Sequence, residues 1–241
     1  MITIGLPVYN QNKILPIALE GLCRQQEAGE WELIVSSEDN VWDIMDSYAD
    51  RLREAGCVNF VYHKIKFWIP LPMKWQKIGR LMDKASIGMM LQAADCYSHP
   101  DRIKQSRQAM LGGYDWYQEG VGCFYDVTNK KMSLYNHPAY YRPAQKSALN
   151  MCMAARHAKR LPLSHKTSSI DRLLFESIKT KKVYQTNQVH AGVDLHGKNN
   201  ISVNRGALIE NDTKPFVPTN KAIYEIGLPN DVVIEIQKTK Q

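Results

Sequence analysis

Short apolar runs separated by amphipathic stretches occupy the first part of the chain. The run from Ile2 to Asn10 predicts a strand that stops at a proline and an asparagine, and Trp31–Val35 and Val58–Tyr62 predict two more strands. Stretches with helical spacing follow the first and the second strand. Strand, helix, strand, helix and strand with short connections form a βαβ series, which predicts a mostly parallel sheet.

Three helices are predicted in the same part of the chain. The first begins after Asn12, a candidate N-cap, and buries Ile14, Leu15, Ala18, Leu19 and Leu22. The second starts near Asp39 or Asn40 and turns inward Trp42, Met45, Tyr48 and Leu52. A third is predicted from about Trp75 to Ile87, before a fourth strand at Met89–Ala93.

Polar side chains stand where the first two predicted strands end. Asn10 closes the first strand, and the second runs directly into Ser36-Ser37-Glu38-Asp39-Asn40. Open α/β sheets hold nucleotides at the carboxyl ends of their strands. This arrangement therefore indicates an enzyme that uses a nucleotide.

A proline-broken apolar segment, Phe67–Pro72, follows the third strand. It is too short to cross a bilayer and too apolar for a free linker. We expect it to pack beside the nucleotide pocket or to form a contact surface.

The pattern is less regular in the second half of the chain. Residues 121–135 predict a hairpin that turns at 128–130, and helices are predicted around 145–157 and 169–179. Residues 231–236 are a candidate strand. The sequence contains no internal repeat and no glycine-serine linker, so we expect one α/β domain with a mostly parallel central sheet flanked by helices and a small hairpin.

Composition supports a folded globular protein. Of 241 residues, 44% are hydrophobic and 23% are charged, and no apolar run approaches the roughly 20 residues that span a bilayer. The start Met1–Ile4 has no basic region, so we expect no signal peptide and a cytoplasmic location. Five scattered cysteines without a Cys-x-x-Cys pair favour reduced thiols over a zinc site or disulfides.

The chain is basic, with a formal net charge of +7 and a pI of about 9.1. Such a charge favours anionic partners such as nucleotides, nucleic acid or an acidic surface. A merely solubilising surface would have the same composition. Charge alone leaves both interpretations open, and the sequence gives no indication of the oligomeric state.

The most informative segment is Leu91-Gln92-Ala93-Ala94-Asp95, followed by His99-Pro100-Asp101-Arg102. With the turn Pro7-Val8-Tyr9-Asn10, it resembles the family 2 glycosyltransferases of the GT-A fold. Those enzymes have a Pro-x-Tyr-Asn turn after the first strand. Their fourth strand ends in Leu-Asp-Ala-Asp-Asp, shortly before a His-Pro-Asp-Arg-like helix start. The resemblance covers about the first 110 residues well and the rest only loosely.

The resemblance implies a domain organisation and an activity. Residues 1–205 would form the GT-A domain, with a nucleotide-sugar-binding half at 1–110, an acceptor half at 111–205 and a C-terminal extension at 206–241. The activity would be the transfer of a sugar from a nucleotide-diphosphate sugar to an acceptor hydroxyl, with UDP-sugars as the first candidate donors. Most of the family inverts the anomeric centre, so inversion is implied as well.

The acidic motif departs from the family pattern. Gln92 and Ala94 stand in place of two acids, which leaves Asp95 as the carboxylate for a divalent cation. The resemblance implies Mn²⁺ or Mg²⁺ at Asp95, with Ala94 and Asp95 beside the nucleotide-sugar. Mg²⁺ usually binds through only one or two carboxylates, so a site with one acid is weakened but possible. Asp95 could instead cap the following turn.

A second metal ligand is implied further along the chain. Gly192–Asn200 resembles the C-terminal loop that presents a histidine to the metal or the diphosphate in several GT-A enzymes. His196 would be that ligand, since imidazole binds Mn²⁺, and Lys198 would meet the phosphates as a point charge. His190 is an alternative to His196. Incidental surface residues would give the same pattern.

The resemblance also implies a catalytic base. An inverting enzyme needs one group that takes the proton from the acceptor hydroxyl. In the family this is a carboxylate at a helix start, and within Ser168–Leu174 the one acid is Asp171. The positive end of a helix would keep that carboxylate ionised. Asp171 could equally be an ordinary first-turn acid.

The nucleotide itself is expected at the strand ends and on the third helix. The candidates at the strand ends are Pro7, Tyr9, Glu38 and Asp39. Arg80 and Lys84 lie in a stretch that resembles the Gly-x-x-x-Arg-Asn segment of the family, so either could reach the base or the phosphates. Solvated cations on a helix face are the alternative for both.

Aromatic and basic residues alternate in the acceptor half. The aromatic residues are Tyr114, Trp116, Tyr117, Phe124, Tyr125, Tyr135, Tyr140 and Tyr141, and the interleaved cations are Lys130, Lys131, Arg142 and Lys146. Aromatic faces stack on sugars or on unstacked bases, and cations favour an anionic acceptor. Candidate acceptors are a hydroxymethylated base in DNA, which must be flipped out of the duplex, and an anionic glycan.

Two other functions fit parts of the pattern. The missing acids at Gln92 and Ala94 are compatible with a catalytically inactive module that binds nucleotide-sugars or glycans. A nucleotidyltransferase would share the sheet but needs a glycine-rich phosphate loop after its first strand. Residues 9–13 contain no glycine, which places that function last.

Overall fold

The computed structural model describes residues 1–119, 122–126, 131–135, 151–165, 170–179, 181–186, 193–196, 216–218 and 231. Of these, residues 119, 122–126, 131–135, 171–172, 193–196 and 216–218 are described by their backbone alone. None of the helices in the described ranges is long and apolar enough to cross a membrane.

The described residues form strands and helices that alternate through the first half of the chain. The strands are β1 (Ile2–Val8), β2 (Trp31–Ser37), β3 (Cys57–Lys64), β4 (Gly88–Leu91), β5 (Cys96–Tyr97), β6 (Trp116–Glu119), β7 (Gly122–Asp126), β8 (Lys131–Tyr135), β9 (Met151–Ala154), β10 (Val183–Thr186), β11 (Val193–His196) and β12 (Phe216–Pro218). The helices are α1 (Leu15–Cys23), α2 (Trp42–Asp46), α3 (Ala49–Glu54), α4 (Leu71–Leu81), α5 (Arg102–Leu111), α6 (Ala155–Ala158) and α7 (Ile170–Glu176).

The central sheet has the order β10-β6-β9-β4-β1-β2-β3 within the described residues. β1 pairs in parallel with β2 and β4, and β2 pairs in parallel with β3, which confirms the predicted parallel core. β9 is antiparallel to both of its neighbours. The parallel strands β1, β2 and β4 end at one edge of this sheet, here called the carboxyl edge, and begin at the opposite amino edge.

Helices cover both faces of the central sheet. On one face, β1 residues such as Ile4 and Leu6 pack with Leu15 and Leu19 of α1. On the other face, Trp75 and Ile78 of α4 form a second cluster with residues of β4, β6, β9 and α7. Residues 2–8 are therefore buried throughout, as expected for a parallel strand that is covered twice.

Gly5 lets α4 approach the sheet closely. A Cβ at this position would lie 2.7 Å from Cζ3 of Trp75 and 2.9 Å from Cγ2 of Ile78. Because α4 packs this tightly on β1, its first turn is held against the carboxyl edge. That position matters for the site described below.

A second sheet has the order β12-β8-β7-β11-β5 within the described residues. β7 and β8 pair antiparallel, which confirms the predicted hairpin; its turn at 128–130 lies outside the described residues. β5 follows β4 directly in the chain, so this sheet adjoins the carboxyl edge. Phe216–Pro218, from the predicted C-terminal extension, pairs with β8 as β12.

The predicted helix at 145–157 is wrong at 151–154 and confirmed at 155–157. Residues 151–154 form β9 instead, and only 155–158 are helical, while 145–150 lie outside the described residues. β9 lies between β4 and β6, so all four of its residues are buried. A short apolar run that is covered on both faces has no period that separates strand from helix.

Three predicted helix boundaries also differ. α1 has Ile14 at its N-cap and no side-chain cap, so Asn12 does not cap it. The second predicted helix is split into α2 and α3, and Trp42 is 46% exposed rather than turned inward. α4 begins at Leu71 because Pro70 and Pro72 are favourable at a helix start.

The other two late predictions have different outcomes. The helix predicted around 169–179 is confirmed as α7, with shorter bounds. The strand predicted at 231–236 is wrong at Asp231, which is helical, and residues 232–236 lie outside the described residues.

Candidate active site

The ends of β1 and β2 are joined at the carboxyl edge by a hydrogen bond. The backbone N–H of Asn10 donates to Oδ2 of Asp39 across 2.6 Å. Asn10 has a φ of 53°, in the left-handed region that asparagine tolerates better than most residues. Asp39 is held in turn by its own N–H, which donates to Oγ of Ser37, and by Tyr62, whose hydroxyl donates to the Asp39 carbonyl. The turn after β1 is thus fixed by residues at the end of β2 and in β3.

A buried ion pair lies directly beneath this turn. The ammonium of Lys74, in the first turns of α4, pairs with the Glu38 carboxylate and donates to the Val8 carbonyl across 3.0 Å. It also lies 5.2 Å from the centroid of the Tyr9 ring. Burial lowers the pKa of Lys74, and its hydrogen bond to Glu38 opposes that shift. The pair joins α4 to the ends of both strands.

Sequence reasoning missed Lys74. A lysine beside Trp75 on an amphipathic helix is usually solvated, whereas this side chain is only 4% exposed. Glu38 and Tyr9 were predicted as nucleotide contacts, and the structure brings both to the same place. Tyr9 is 45% exposed and therefore accessible to a ligand at this edge, and Pro7 is buried in β1 beside it.

The turn between β4 and β5 is organised by Gln92. Its Nε2 donates to the carbonyls of Ala93 and Cys96 across 2.9 and 2.7 Å. Its Oε1 accepts from Ser98 across 2.6 Å and from Arg102 across 2.7 Å. Gln92 is wholly buried. Both ends of this amide are thus used inside the protein, so Gln92 supports the turn and does not face a ligand.

Arg102 is the second residue whose role the sequence did not reveal. It is wholly buried, and besides Gln92 it donates to Oγ of Ser98 across 2.9 Å and to the Leu91 carbonyl. A buried guanidinium needs several acceptors to offset its lost hydration. The His99–Arg102 motif therefore fixes the β4–β5 turn from below.

Asp95 lies on the exposed side of that turn, whereas Ala94 packs in the hydrophobic core, which is at odds with its predicted contact with the nucleotide-sugar. Asp95 is half-buried, with Sγ of Cys96 at 3.7 Å from its Oδ1, and Ala94 is buried. Cys96 pairs with Asp194 of β11, and neighbouring strands lie about 4.8 Å apart. The backbone of His196 is thus two residues along the strand that adjoins the turn.

The predicted metal site stays a prediction, since the described side chains do not assemble it. Among them, no group of three or more histidine, cysteine, aspartate or glutamate residues could hold a metal ion. Asp95 directly precedes β5, and β11, which ends at His196, pairs with β5, so the two residues lie in neighbouring segments and their role as metal ligands stays a prediction. Lys198 and His190 lie outside the described residues.

The fold is similar to that of solved glycosyltransferase structures, although the sequence identity is low. No family model and no curated protein sequence matches the chain. Among solved structures, S. aureus TarS 1–349 in complex with UDP-GlcNAc has a TM-score of 0.64 at 11% identity, over 97% of this chain and 66% of TarS 1–349. The same protein with UDP has a TM-score of 0.61 at 12% identity, over 81% and 60%.

A mannosyltransferase, PcManGT from Pyrobaculum calidifontis in complex with GDP-Man and Mn²⁺, is also similar. Its TM-score is 0.57 at 11% identity, over 85% of this chain and 59% of that protein. The sheet order, the helices on both faces and these matches agree. The chain has the GT-A fold. Its predicted membership of family 2 stays a prediction.

The chain is shorter than the GT-A proteins it resembles. It spans from 36% to 66% of the length of the TarS chains. Sequence identities of 11% and 12% to TarS show a shared fold and do not show a shared activity. Donor, metal and acceptor therefore have to be argued from the residues of this chain.

Within the GT-A fold, the predicted catalytic base lies on α7. Asp171 is the second residue of that helix, as predicted, and is described by its backbone alone. The other end of α7 lies at the amino edge, where Phe175 contacts Trp116 at a ring distance of 5.2 Å and the Lys182 N–H donates to Asp115. Asp171 thus belongs to the end of the helix that lies away from the amino edge.

Arg80 and Lys84 are placed away from the candidate site. Both are exposed, Arg80 in the last turn of α4 and Lys84 in the loop before β4. That loop is tied to the amino edge, since the Asp83 N–H donates to Glu32 of β2 across 2.8 Å. The structure does not bring them together with Asp39 and Asp95, because α4 runs from the carboxyl edge to the amino edge. This placement is at odds with the predicted nucleotide contacts.

Proposed function

We propose that the protein is a glycosyltransferase that moves a sugar from a nucleoside diphosphate sugar, with UDP as the first candidate nucleotide, to an acceptor hydroxyl. The observation that carries the proposal is the carboxyl edge, where Asn10, Asp39 and Asp95 follow three parallel strands of a GT-A sheet. TarS, which shares this fold, is known in complex with UDP and UDP-GlcNAc.

In this proposal the nucleoside lies on the turn between β1 and α1. Pro7 shapes the end of β1, the exposed ring of Tyr9 offers a stacking face, and the carboxylate of Asp39 accepts from the base or the ribose. The Glu38–Lys74 pair supports that turn from beneath.

A divalent cation would be held by Asp95 and His196, with Mn²⁺ and Mg²⁺ as the candidates. The fit rests on two observations: Asp95 is half-buried at the turn, and β11 adjoins that turn through the Asp194–Cys96 pairing. One carboxylate with diphosphate oxygens and water meets the usual demand of Mg²⁺. When bound, the ion would neutralise charge on the departing diphosphate. Lys198 would add a further positive charge.

Asp171 would be the catalytic base, and inversion would follow from a single displacement. The acceptor oxygen forms a bond to the anomeric carbon, the bond from that carbon to the diphosphate oxygen breaks, and the hydroxyl proton goes to the Asp171 carboxylate. The position of Asp171 in the first turn of α7 supports this role. A helix start stabilises the ionised carboxylate that a base requires.

The acceptor would be anionic, either a glycan or a hydroxymethylated base in DNA. The support is the net charge of +7 and the aromatic and basic residues between positions 124 and 146, since Trp116 and Tyr117 are wholly buried. Transfer of radiolabelled sugar to hydroxymethylated DNA, to plain DNA and to an anionic polysaccharide would separate the two. Binding through phosphates must weaken as salt rises.

The test is hydrolysis and transfer with a panel of nucleotide-sugars, with and without Mn²⁺. Asp95→Ala and Asp171→Ala are each expected to lower turnover at least about a hundredfold, as is typical for a metal ligand or a base. Asp43→Ala, on the exposed start of α2, is the matched control and should keep full turnover. Full turnover in both site variants would contradict the assignment.

A second candidate is a catalytically inactive module that binds nucleotide-sugars or glycans. The specific observation in its favour is that Gln92 uses both ends of its amide within the turn, so it cannot replace the missing acid. Calorimetric titration with UDP, with and without Mn²⁺, separates the two functions. An inactive module should bind UDP without any gain from the metal.

A further inference from the structure

The loop between β3 and α4 presents large apolar side chains to solvent. Phe67 is 74% exposed, Trp68 is 54% exposed, and Leu71 at the start of α4 is 39% exposed. Lys64 and Lys66 precede them and are exposed too. These five residues are here called the aromatic wedge. The proposed glycosyltransferase activity gives the wedge no role.

The wedge is held in place from beneath. Ile65 and Ile69 are 6% and 7% exposed, and they flank the exposed residues 66–68. The Ile65 N–H donates to the Ser37 carbonyl across 2.8 Å, and the Ile69 N–H donates to Oε1 of Glu38 across 3.0 Å. Pro70 and Pro72 follow in the first turn of α4 and restrict the backbone further. The rings therefore point outward because the backbone fixes them there.

Exposure of two consecutive aromatic rings costs free energy unless a partner covers them. Tryptophan prefers the boundary between water and lipid, where its ring is in an apolar environment and its N–H stays hydrated. Lysines beside such rings bind the phosphates of anionic lipid headgroups. The exposed rings therefore match the apolar side of the membrane interface, and the lysines beside them match its charged headgroups.

We propose that the aromatic wedge docks the protein onto the surface of a bilayer that contains anionic phospholipids. Phe67, Trp68 and Leu71 enter the interface, while Lys64 and Lys66 contact the headgroup phosphates. The net charge of +7 adds a long-range attraction to the same surface. A single apolar tip gives weak binding, and a neighbouring basic group supplies the second contribution that stable docking needs.

This orientation turns the carboxyl edge toward the membrane. Glu38 accepts from the Ile69 N–H and pairs with Lys74, which lies under the Tyr9 ring, so three contacts connect the residue after Trp68 to that ring. The inference does not depend on the proposed activity, since docking is measured without a donor or an acceptor.

The test is co-sedimentation of the full chain with vesicles of phosphatidylcholine, either pure or mixed with phosphatidylglycerol. We expect binding to the mixed vesicles that weakens with salt, and little binding to the pure ones. Phe67→Ser/Trp68→Ser should weaken it about tenfold or more, and Lys64→Gln/Lys66→Gln by about fivefold for each lysine. Brominated lipid should quench the tryptophan fluorescence of the wild type more than that of Trp68→Phe, because Trp68 then lies in the lipid interface.

The matched control is Leu81→Ser/Leu111→Ser, which removes two exposed leucines, 42% and 66% exposed, at the ends of α4 and α5. It should bind vesicles like the wild type. Equal binding by the wedge variant and the control would overturn the proposal. The proposal would also be overturned if the protein did not bind vesicles and the wedge substitutions instead changed DNA binding or self-association. The same holds if those substitutions changed only the affinity for UDP.

Discussion

The guanidinium of Arg102 donates a 2.7 Å hydrogen bond to the side-chain oxygen of Gln92, and both side chains are wholly buried. Gln92 occupies the place of an acid in the glycosyltransferase motif that the sequence resembles. In this chain the position has become part of the scaffold, since Gln92 also binds two backbone carbonyls of the β4–β5 turn. Asp95 is left as the acid of the motif, and its placement depends on that scaffold.

Gln92→Ala is therefore expected to lower the free energy of unfolding by about 3 kcal/mol. The substitution leaves a buried cation and a buried hydroxyl with fewer acceptors, and such losses cost more when a charge is involved. Urea denaturation measures the change. Gln108→Ala, on the exposed face of α5, should change stability by less than about 0.5 kcal/mol. An equal loss in both variants would contradict the scaffold role.

The fold of the first half could be predicted because its signals are local. The apolar runs at 2–8 and 31–35 are short and bounded by polar turns, and the parallel pairing follows from their helical connections. β9 could not be predicted in the same way. Its residues 151–154 pair with strands on both sides in the sheet and pack in the core clusters on both faces, so neither alternation nor turn residues mark it.

The site was predictable only where its residues end strands. Asp39 and Asp95 follow β2 and β4, and their type and position point to a ligand. Lys74 and Arg102 gave no such signal, since their partners come from other elements. The spacing of Arg102 with Ser106, which puts both on the buried face of α5, was the one available clue.

Lys74→Met is expected to destabilise the protein by about 3–5 kcal/mol, because it leaves the Glu38 carboxylate inside without its cation. Lys74→Met/Glu38→Gln should recover part of that loss, since the unpaired charge is then removed. Thermal unfolding of both variants and of Glu38→Gln completes a double-mutant cycle. Lys84→Met, an exposed lysine, is the control. Strictly additive losses would show that the two charges are not coupled.

Asn10 offers a test of the turn after β1, which is hydrogen-bonded to the end of β2. Its φ of 53° suits glycine and disfavours alanine, so Asn10→Gly should keep the free energy of unfolding while Asn10→Ala should lower it by about 1 kcal/mol.

Asp39→Ala removes the acceptor of the Asn10 N–H and the proposed nucleoside contact. We expect it to weaken UDP binding at least about tenfold by calorimetry. UDP affinity equal to that of Asp43→Ala would place the nucleoside elsewhere.

Asp115 provides a pH test that is independent of the proposed function. Burial raises the pKa of this carboxyl, but hydrogen bonds from the Lys182 N–H, His157 and Arg156 outweigh it and lower the pKa from 3.8 to about 2. A lowered pKa stabilises the folded state at pH values above the ordinary pKa. That contribution should therefore be complete above about pH 5 and should decline as the pH falls from about 4 to 2.

Urea midpoints measured between neutral pH and pH 2 show this dependence. Asp115→Asn should unfold more easily at neutral pH, and its deficit relative to the wild type should shrink in the acid range, where the wild-type carboxyl takes up its proton. Asp50→Asn is the matched control, because that side chain is 92% exposed in a surface pair with Arg53. A deficit in Asp115→Asn that stayed constant down to pH 2 would show that the charge of Asp115 does not stabilise the junction of β6 and β10.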